Sequence, residues 1–323
     1  MFSRDVLKID APAVASEIEQ AIRDQVFGKL RRRGAVVGMS GGIDSSVVST
    51  LCARALGKDK VFGIFMPERD TSDDALRLGT TLASHLGIET VVENIRPALS
   101  GLRCYERQDE AIRMVFPEYQ ESWKFKIVLP SILEGDRLNV SQLTVQPPEG
   151  EPITKRLSLK AYLQLVAATN FKQRIRKMME YYHGDRLNYA VAGTPNLLEY
   201  DQGFFVKQGD GAADFKPIAH LYKSQVYALA EYIGVPEEIR RRAPTTDTFS
   251  LPQGQDEFYF SLPYDKMDLC LYAYSHKVSA ADAAPAVGIK PEQVERVYKD
   301  IEAKRRVAEY LHARPLLVGG EGN

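Results

Sequence analysis

The chain has 323 residues, of which 44% are hydrophobic and 26% are charged, and its formal net charge is −1. This composition is that of an ordinary globular protein, and the near-zero charge argues against a nucleic-acid partner. No apolar run reaches the roughly 18 residues of a membrane span, and the N-terminus lacks the apolar core of a signal peptide. Three cysteines without metal-binding spacing, Cys52, Cys104 and Cys270, favour a reducing compartment. We therefore expect a cytoplasmic protein that does not contact membranes.

The first third of the chain alternates between predicted helices and strands. Apolar residues at helical spacing and capping residues predict three helices, at residues 11–33, 47–56 and 73–87. Short apolar runs predict two buried strands at residues 35–39 and 61–66, and a short third strand at residues 89–92. Helices that alternate with strands at this spacing are typical of βαβ units. The predicted fold class is a doubly wound parallel α/β sheet.

This alternation breaks between about residues 119 and 157, where short apolar runs flank two turn-like segments. We interpret this stretch as an inserted β-hairpin-like segment and not as a new domain. Beyond it the pattern predicts a helix, a buried strand and another helix, at residues 159–182, 188–192 and 221–233. Helices are predicted again from residue 264 to about residue 314. We therefore expect residues 1–323 to form a single domain.

The segment SGGIDSS, residues 40–46, connects the first predicted strand to the helix after it. Two glycines allow a sharp turn and a close approach of the backbone to a ligand. A helix N-terminus behind such a turn presents free amides that bind an anion such as phosphate. The lysine of the GxxxxGK[ST] loop is absent, which argues against transfer of a γ-phosphate. The alternative interpretation is a capped strand-to-helix turn without a ligand.

Asp44 is the acidic residue of this segment. A lone carboxylate beside bound phosphates would repel them. It is explained mainly as a ligand of Mg²⁺, which phosphates and carboxylates bind together. The sequence therefore predicts a nucleotide site that uses magnesium.

SGGIDSS resembles the loop of the N-type ATP pyrophosphatases, which cleave ATP between the α- and β-phosphates. Further blocks resemble the NAD synthetases of the ammonia-dependent type, in the order that is usual for that family. These blocks are NFKQRIRKM (170–178), GTPNLLE (193–199), GFFVKQGDGAAD (203–214), LYKSQV (221–226), APTTD (243–247) and QDE (255–257). The resemblance implies an adenine nucleotide alpha hydrolase-like fold. It also implies adenylation of the deamido-NAD carboxylate by ATP, followed by amidation with ammonia, with release of AMP and pyrophosphate.

The same resemblance implies roles for individual residues. ATP would be bound by Ser40, Gly41, Gly42, Asp44, Ser45, Ser46, Thr194, Lys223 and Thr245. Mg²⁺ would be held by Asp44 and Glu199, and deamido-NAD by Arg174, Lys207 and Asp214. Catalysis would depend on Asp44, Glu199, Lys223 and Asp210. For Asp210 a turn-forming role is the main interpretation, and attraction or deprotonation of ammonium is a further hypothesis.

The chain departs from the family pattern at three places, residues 195–197, Val206 and residues 246–248. These departures lie on the acceptor side of the expected site. The alternative function is therefore an N-type ATP pyrophosphatase that amidates a different carboxylate. A non-catalytic nucleotide-binding protein would be expected to lack Asp44, Glu199 or Lys223, and all three are present. A thiolating enzyme would be expected to have paired cysteines and a basic RNA-binding face, and the sequence indicates neither.

Two expectations concern partners. The length leaves no room for a glutaminase portion, so nitrogen is expected as free ammonia or from a separate glutaminase. The family resemblance also implies a homodimer with its substrate site near the interface.

Overall fold

The computed structural model describes residues 2–129, 141–242, 249–251, 253–254, 259–260 and 262–318. The strands are β1 (Ala35–Gly38), β2 (Val61–Phe65), β3 (Glu89–Val92), β4 (Lys124–Val128), β5 (Gln142–Gln146), β6 (Ile153–Arg156) and β7 (Ala190–Ala192). The helices are α1 (Ala11–Arg23), α2 (Ile43–Leu56), α3 (Asp73–Leu86), α4 (Arg96–Gly101), α5 (Cys104–Arg113), α6 (Leu159–Leu187), α7 (Leu197–Gln202), α8 (Lys223–Tyr232), α9 (Glu237–Arg241), α10 (Tyr264–Ser275), α11 (Ala280–Val287) and α12 (Pro291–His312).

The central sheet is parallel, with the strand order β3-β2-β1-β7. Ala35 lies opposite Val61 on one side and opposite Ala190 on the other. The carboxyl ends of these three strands therefore meet at one edge, where ligands bind in open α/β sheets. This arrangement confirms the predicted parallel sheet, and the predicted strands at 35–39, 61–66 and 89–92 are present.

Both faces of the sheet are covered by helices. Alternate residues of β1 point to opposite sides, so Val37 packs with α1, α2 and α8 while Val36 packs with α4, α5 and α6. Neither side chain is exposed to solvent. A strand buried on both faces requires continuous apolar residues, which explains the unbroken AVV run of β1.

Several helical segments differ from the prediction. The α-helix predicted at 11–33 ends at Arg23, and the chain continues as a π-helical turn over Asp24–Lys29. The helix predicted to end near residue 182 continues to Leu187, where Asn188 adopts a left-handed conformation with φ of 56°. Helices α4 and α5 were not predicted. Their faces pack under the sheet through buried residues of both helices, among them Leu99, Cys104 and Tyr105.

The segment between α5 and α6 carries a second sheet, antiparallel and in the order β4-β5-β6. Phe125 pairs with Val145 and Ile127 pairs with Leu143 on one face. These four side chains are buried against the end of α5 and the first turns of α6. The predicted β-rich insertion therefore packs around a separate hydrophobic cluster, to which α5 and α6 of the main fold also contribute.

The free edge of β4 is covered by a later part of the chain. The Leu251 amide donates to the Phe125 carbonyl at 3.1 Å, and the Phe125 amide donates to Ser250 Oγ at 2.9 Å. The Gln253 side-chain amide donates to the Ile127 carbonyl. Phe249 is buried with its ring centroid 5.6 Å from that of Phe125. Edge groups that would otherwise be exposed are thus satisfied within the chain.

The C-terminal helices α10, α11 and α12 form another apolar cluster, as expected for the region from residue 264 onward. The cysteines Cys52, Cys104 and Cys270 are buried and free, which agrees with a packing role. Within the described ranges, no helix is both long and apolar enough to cross a membrane.

We expect Phe249→Ala to destabilise the protein by about 3 kcal/mol, because it removes a buried ring and leaves a cavity beside Phe125. Ile153→Ala on β6 is the matched control, since Ile153 is 41% exposed, and its cost should stay below about 1 kcal/mol. Urea denaturation of both variants measures the difference. Equal losses would contradict the buried position of Phe249.

Candidate active site

The SGGIDSS segment, residues 40–46, lies at the carboxyl edge of β1 and leads into α2. We call it the phosphate-type loop. Ser40 Oγ lies 3.0 Å from Ser45 Oγ, and the Ser45 and Ser46 hydroxyls donate to the Gly42 carbonyl at 3.1 and 2.8 Å. Gly42 is the N-cap of α2, and no described side chain caps this helix. The first amides of α2 therefore remain available to an anion, as predicted for this segment.

Gly41 fixes the path of this loop. Its φ is +72°, and a Cβ atom there would overlap the carbonyl oxygen of Ala75 in the first turn of α3. A side chain would be strained both by the backbone conformation and by this contact. The phosphate-type loop is therefore packed directly against the start of α3.

Asp44 faces a buried lysine from a distant part of the chain. The Lys223 ammonium contacts Asp44 Oδ2, and the Asn196 side-chain amide donates to Asp44 Oδ1 at 3.1 Å. The Lys223 side chain is 1% exposed and that of Asp44 is 15% exposed. Three segments that are separate in sequence thus meet at this carboxylate.

Glu199 joins the same group through Asn196. The Asn196 side chain accepts from the Glu199 amide at 3.2 Å, and Glu199 Oε2 accepts from the Asn196 amide at 3.1 Å. This reciprocal pair is a capping box that begins α7. Asn196 therefore starts a helix and holds two carboxylates in place.

The charges of this cluster perturb each other. Burial and the neighbouring charge of Asp44 raise the pKa of Glu199 to about 8. Burial alone would lower the pKa of Lys223, but the charges of Asp44 and Glu199 outweigh it and the pKa is raised. With both carboxylates ionised, Asp44 and Glu199 would outnumber the Lys223 ammonium, and the raised pKa of Glu199 reflects the cost of that excess charge. Such a site favours a further cation.

A divalent cation fits this donor set in part. Carboxylate oxygens of Asp44 and Glu199 are hard ligands suited to Mg²⁺, which is commonly held by one or two carboxylates together with substrate phosphates. Among the residues with described side chains, no group of three or more His, Cys, Asp and Glu residues could hold a metal ion. A magnesium ion here would therefore take its remaining ligands from the nucleotide and water.

The position of Lys223 is fixed by Asp268 of α10. Asp268 accepts hydrogen bonds from the backbone amides of Lys223 at 3.2 Å and Ser224 at 2.7 Å. These are the first amides of α8, which would otherwise lack a partner. The buried Asp268 carboxylate thus caps the helix that presents Lys223 to Asp44.

A cavity opens beside this cluster, between the strand ends, the start of α3 and one face of α6. It is lined by Gly38, Met39, Ser40, Phe65, Met66, Pro67, Thr71, Ala75, Leu76, Gln173, Arg176, Lys177, Glu180, Ala192, Thr194 and Asp210. Of the predicted site residues, Ser40, Thr194 and Asp210 line it.

Sequence reasoning missed the contribution of α6 to this cavity. Gln173, Arg176, Lys177 and Glu180 recur at the spacing of one helix face, a signal present in the NFKQRIRKM block and the residues just after it. The Lys177 ammonium donates to Glu180 Oε2 at 2.6 Å, and both side chains are more than nine-tenths buried. One side of the cavity is therefore lined by polar and charged side chains of α6.

Asp210 has the turn-forming contact that was the main interpretation. Its Oδ1 accepts from the Val206 amide at 2.7 Å, and the Gly209 and Gly211 amides donate to the Val206 carbonyl. Burial raises the pKa of Asp210, although the Val206 amide and Lys177 act in the opposite direction.

The predicted deamido-NAD residues lie outside the cavity lining. Arg174 Nε donates to the Lys207 carbonyl at 3.3 Å, and Lys207 Nζ donates to the carbonyls of Tyr310 and Ala313 at 2.6 and 2.9 Å. Asp214 accepts from the Val191 amide at 2.7 Å. Arg174 and Lys207 are thus brought together, while Asp214 is tied to β7. Thr245 lies outside the described residues.

The fold and the cluster define a nucleotide-binding α/β protein. A family model described as NAD synthase matches residues 14–117 and 138–308. The NH(3)-dependent NAD(+) synthetase of Mesorhizobium japonicum is 63% identical over 312 residues, which are 97% of this chain and 98% of that protein. The corresponding protein of Rhizobium rhizogenes is 57% identical over 98% of this chain and 95% of its own length. The chain belongs to the NAD synthase family.

Solved structures show the same fold at low sequence identity. The NMN synthetase of Francisella tularensis has a TM-score of 0.66 at 21% identity, covering 97% of this chain and all of that chain. The NH3-dependent NAD synthetase of Campylobacter jejuni, in complex with nitrate, has a TM-score of 0.62 at 22% identity, covering 96% and 100%. These similarities confirm the predicted fold class.

We expect Gly41→Ala to weaken ATP binding by about tenfold or more, because the loop must move away from Ala75. Gly57→Ala is the matched control: its φ is +89°, and no atom of the described residues lies within 4 Å of the position that a Cβ would take. The control should lose about 1 kcal/mol of stability and keep its ATP affinity. Calorimetric titration with ATP separates the two, and equal affinities would contradict the role of Gly41.

Proposed function

We propose that this chain catalyses the ATP-dependent amidation of deamido-NAD with ammonia, giving NAD, AMP and pyrophosphate. The observation that carries the proposal is the contact of the buried Lys223 ammonium with Asp44 at the start of α2, with Glu199 held beside it by Asn196. Family membership and close relatives named NH(3)-dependent NAD(+) synthetase support this reaction.

The proposed reaction has two chemical steps. The nicotinate carboxylate attacks the α-phosphorus of ATP, a P–O bond to pyrophosphate breaks, and an acyl-adenylate forms. Ammonia then attacks the acyl carbon, loses a proton, and displaces AMP. Adenylation is needed because a free carboxylate is a poor electrophile towards an amine.

The residues of this chain bind and orient the nucleotide for the first step. The free amides of α2 and the Ser40 hydroxyl can donate hydrogen bonds to phosphate oxygens, and Lys223 stabilises negative charge that develops on the leaving pyrophosphate. The Asp268 cap keeps the Lys223 backbone fixed, so the ammonium needs little rearrangement. Holding two charged substrates in line supplies much of the remaining rate enhancement.

Magnesium is part of the proposal. Asp44 and Glu199 would hold the ion, and it would supply further compensation of phosphate charge. Its binding would also lower the pKa of Glu199, which burial and the neighbouring charge of Asp44 raise. We retain Asp44, Glu199, Lys223 and Asp210 as the proposed catalytic set, with Asp210 as the residue that would face ammonium.

On the acceptor side we propose Arg174, Lys207 and Asp214 as contacts of deamido-NAD. The hydrogen bond from Arg174 Nε to the Lys207 backbone carbonyl supports assigning the two residues to one part of the site. Lys207 would have to exchange the carbonyls of α12 for the substrate. On the nucleotide side, Thr245 stays a prediction from the family motif.

One ground for a different acceptor is weakened by the structure. The departure at residues 195–197 includes Asn196, which hydrogen-bonds to Asp44 and Glu199, and we therefore propose it for the nucleotide side. The departures at Val206 and residues 246–248 still leave the identity of the carboxylate to be tested.

The nitrogen source, the compartment and the domain boundary are also proposals. We propose that ammonia enters freely or from a separate glutaminase, that the protein acts in the cytoplasm, and that residues 1–323 form one domain. The three buried free thiols agree with a reducing compartment.

The decisive assay measures pyrophosphate and NAD with ATP, Mg²⁺ and ammonium, with and without deamido-NAD. We expect release of pyrophosphate and formation of NAD when deamido-NAD is present. The rate should fall by about 100-fold in Asp44→Asn, because negative charge in the transition state is then less well stabilised. Glu19→Gln is the matched control, since its carboxylate is also 15% exposed and pairs with Arg54 at 2.7 Å. It should retain full activity.

If the unsubstituted protein releases no pyrophosphate with deamido-NAD, the proposed acceptor is contradicted. Release with another carboxylic acid would then keep the adenylation chemistry and change the substrate. Full activity of Asp44→Asn would contradict the assigned site.

We also propose a homodimer in which α6 contributes to the interface. This helix leaves large apolar side chains exposed, namely Leu159, Leu163, Met178 and Tyr182, at 56–73% exposure. Apolar groups in such numbers on one helix are commonly covered by a partner.

Sedimentation equilibrium should therefore give twice the chain mass, and Met178→Asp should shift the protein towards monomer, since it places a charge in an apolar interface. Val307→Asp on α12 is the control, because Val307 is similarly exposed at 63% but lies on another helix. A monomer at micromolar concentration would contradict the proposal.

A further inference from the structure

A buried ionic cluster lies next to the cavity but outside it. Lys172, in the middle of α6, is 1% exposed, and its ammonium lies 2.9 Å from Glu68 Oε1 and 2.6 Å from Asp70 Oδ2. The two carboxylates are 0% and 5% exposed. Both belong to the segment that connects β2 to α3.

Aromatic and basic groups complete this cluster. The Tyr105 hydroxyl of α5 donates to Glu68 Oε2 at 2.9 Å, and Arg69 Nε donates to Asp70 Oδ1 at 3.2 Å. The Arg69 guanidinium lies 4.1 Å from the centre of the Tyr105 ring. The β2–α3 segment is thus tied to two helices through charges with little access to water.

This segment forms one wall of the cavity. Met66, Pro67 and Thr71 line it directly, on either side of Glu68 and Asp70. Ser72 then caps α3 by accepting a hydrogen bond from the Ala75 amide at 3.3 Å. The Ala75 carbonyl lies directly against Gly41. The position of this segment therefore sets both a cavity wall and the support of the phosphate-type loop.

The opposite wall of the cavity is α6 itself. Gln173 follows Lys172 directly, and Arg176 lies one turn further along the same helix. An ion pair between Lys172 and the β2–α3 segment therefore connects the two walls, and determines the separation between them.

Stability alone does not explain this choice of residues. Burying several charges costs free energy that their mutual attraction offsets only with good geometry, and well-packed apolar residues often stabilise such a position equally. Removing one partner, in contrast, leaves an uncompensated buried charge. The cluster is therefore better explained by the geometry that it imposes.

We propose that Lys172 is a positioning residue for the nucleotide: through Glu68 and Asp70 it holds the β2–α3 segment against α6 and so keeps the cavity and the phosphate-type loop in their binding geometry. The inference rests on the proposed nucleotide-binding role of this site, but not on the identity of the acceptor. The inference predicts an effect of Lys172 on ATP binding, which can be measured whether or not NAD is formed.

The test uses two variants, because Lys172→Met alone leaves two buried carboxylates without their partner. The second variant, Glu68→Gln/Asp70→Asn/Lys172→Met, removes the buried ammonium together with both of its carboxylate partners, while Arg69 keeps its position over the Tyr105 ring, and it is designed to fold. We expect the ATP dissociation constant of the triple variant, measured by calorimetric titration, to rise by about fivefold or more. The KM for ATP should rise in parallel, while kcat changes by less than about threefold.

Ile301→Val is the stability control. Ile301 is fully buried in the C-terminal helical cluster, so the variant loses core packing away from the cavity and should bind ATP as the unsubstituted protein does. A rise below about fivefold in the folded triple variant would overturn the proposal, as would an equal rise in Ile301→Val. If the unsubstituted protein binds ATP but makes no NAD, the proposed acceptor fails while this test remains decisive.

Discussion

The interaction on which the structure depends is the contact between the Lys223 ammonium and the Asp44 carboxylate. A buried ammonium without a partner costs several kcal/mol, so Lys223 can occupy this position only if Asp44 and Glu199 are placed around it. These residues come from α8, α2 and α7, and α10 contributes Asp268 as the cap of α8. The position of each helix is therefore constrained by the charge of another.

That constraint also explains the chemical character of the site. A loop of free amides receives anions, and beside it two carboxylates outnumber one ammonium. Phosphates and carboxylates coexist only when cations separate them. Adenylation brings such groups together, because one substrate carries phosphates and the other a carboxylate.

The features that local sequence determines were predictable. The AVVG strand, the SGGIDSS loop and the start of α2 follow from β-branched residues, glycines and capping residues within a dozen positions. The importance of Asp44, Glu199 and Lys223 was predicted from motifs, and the structure brings these three residues together. The end of α1 was predicted at residue 33 and lies at Arg23, because a π-helical turn, which follows α1, has no distinct sequence pattern.

What could not be predicted depends on contacts between remote residues. Lys172 and Glu68 are 104 positions apart, and either would be assigned to the surface from sequence alone. The covering of the β4 edge by Ser250 and Leu251 spans 125 positions or more, and α5 has few apolar residues to mark it. In these cases burial arises from the tertiary fold and not from periodicity.

The contact between Lys207 and the end of α12 has a consequence for how the chain folds during synthesis. The carbonyls that receive this lysine belong to residues more than 100 positions later, and Gly203 lies directly against α12. The ribosome delivers the nucleotide half of the site, including α2, α7 and α8, well before α12 emerges. The contacts of Lys207 and Gly203 with α12 can therefore form only after the last of the described helices has been synthesised.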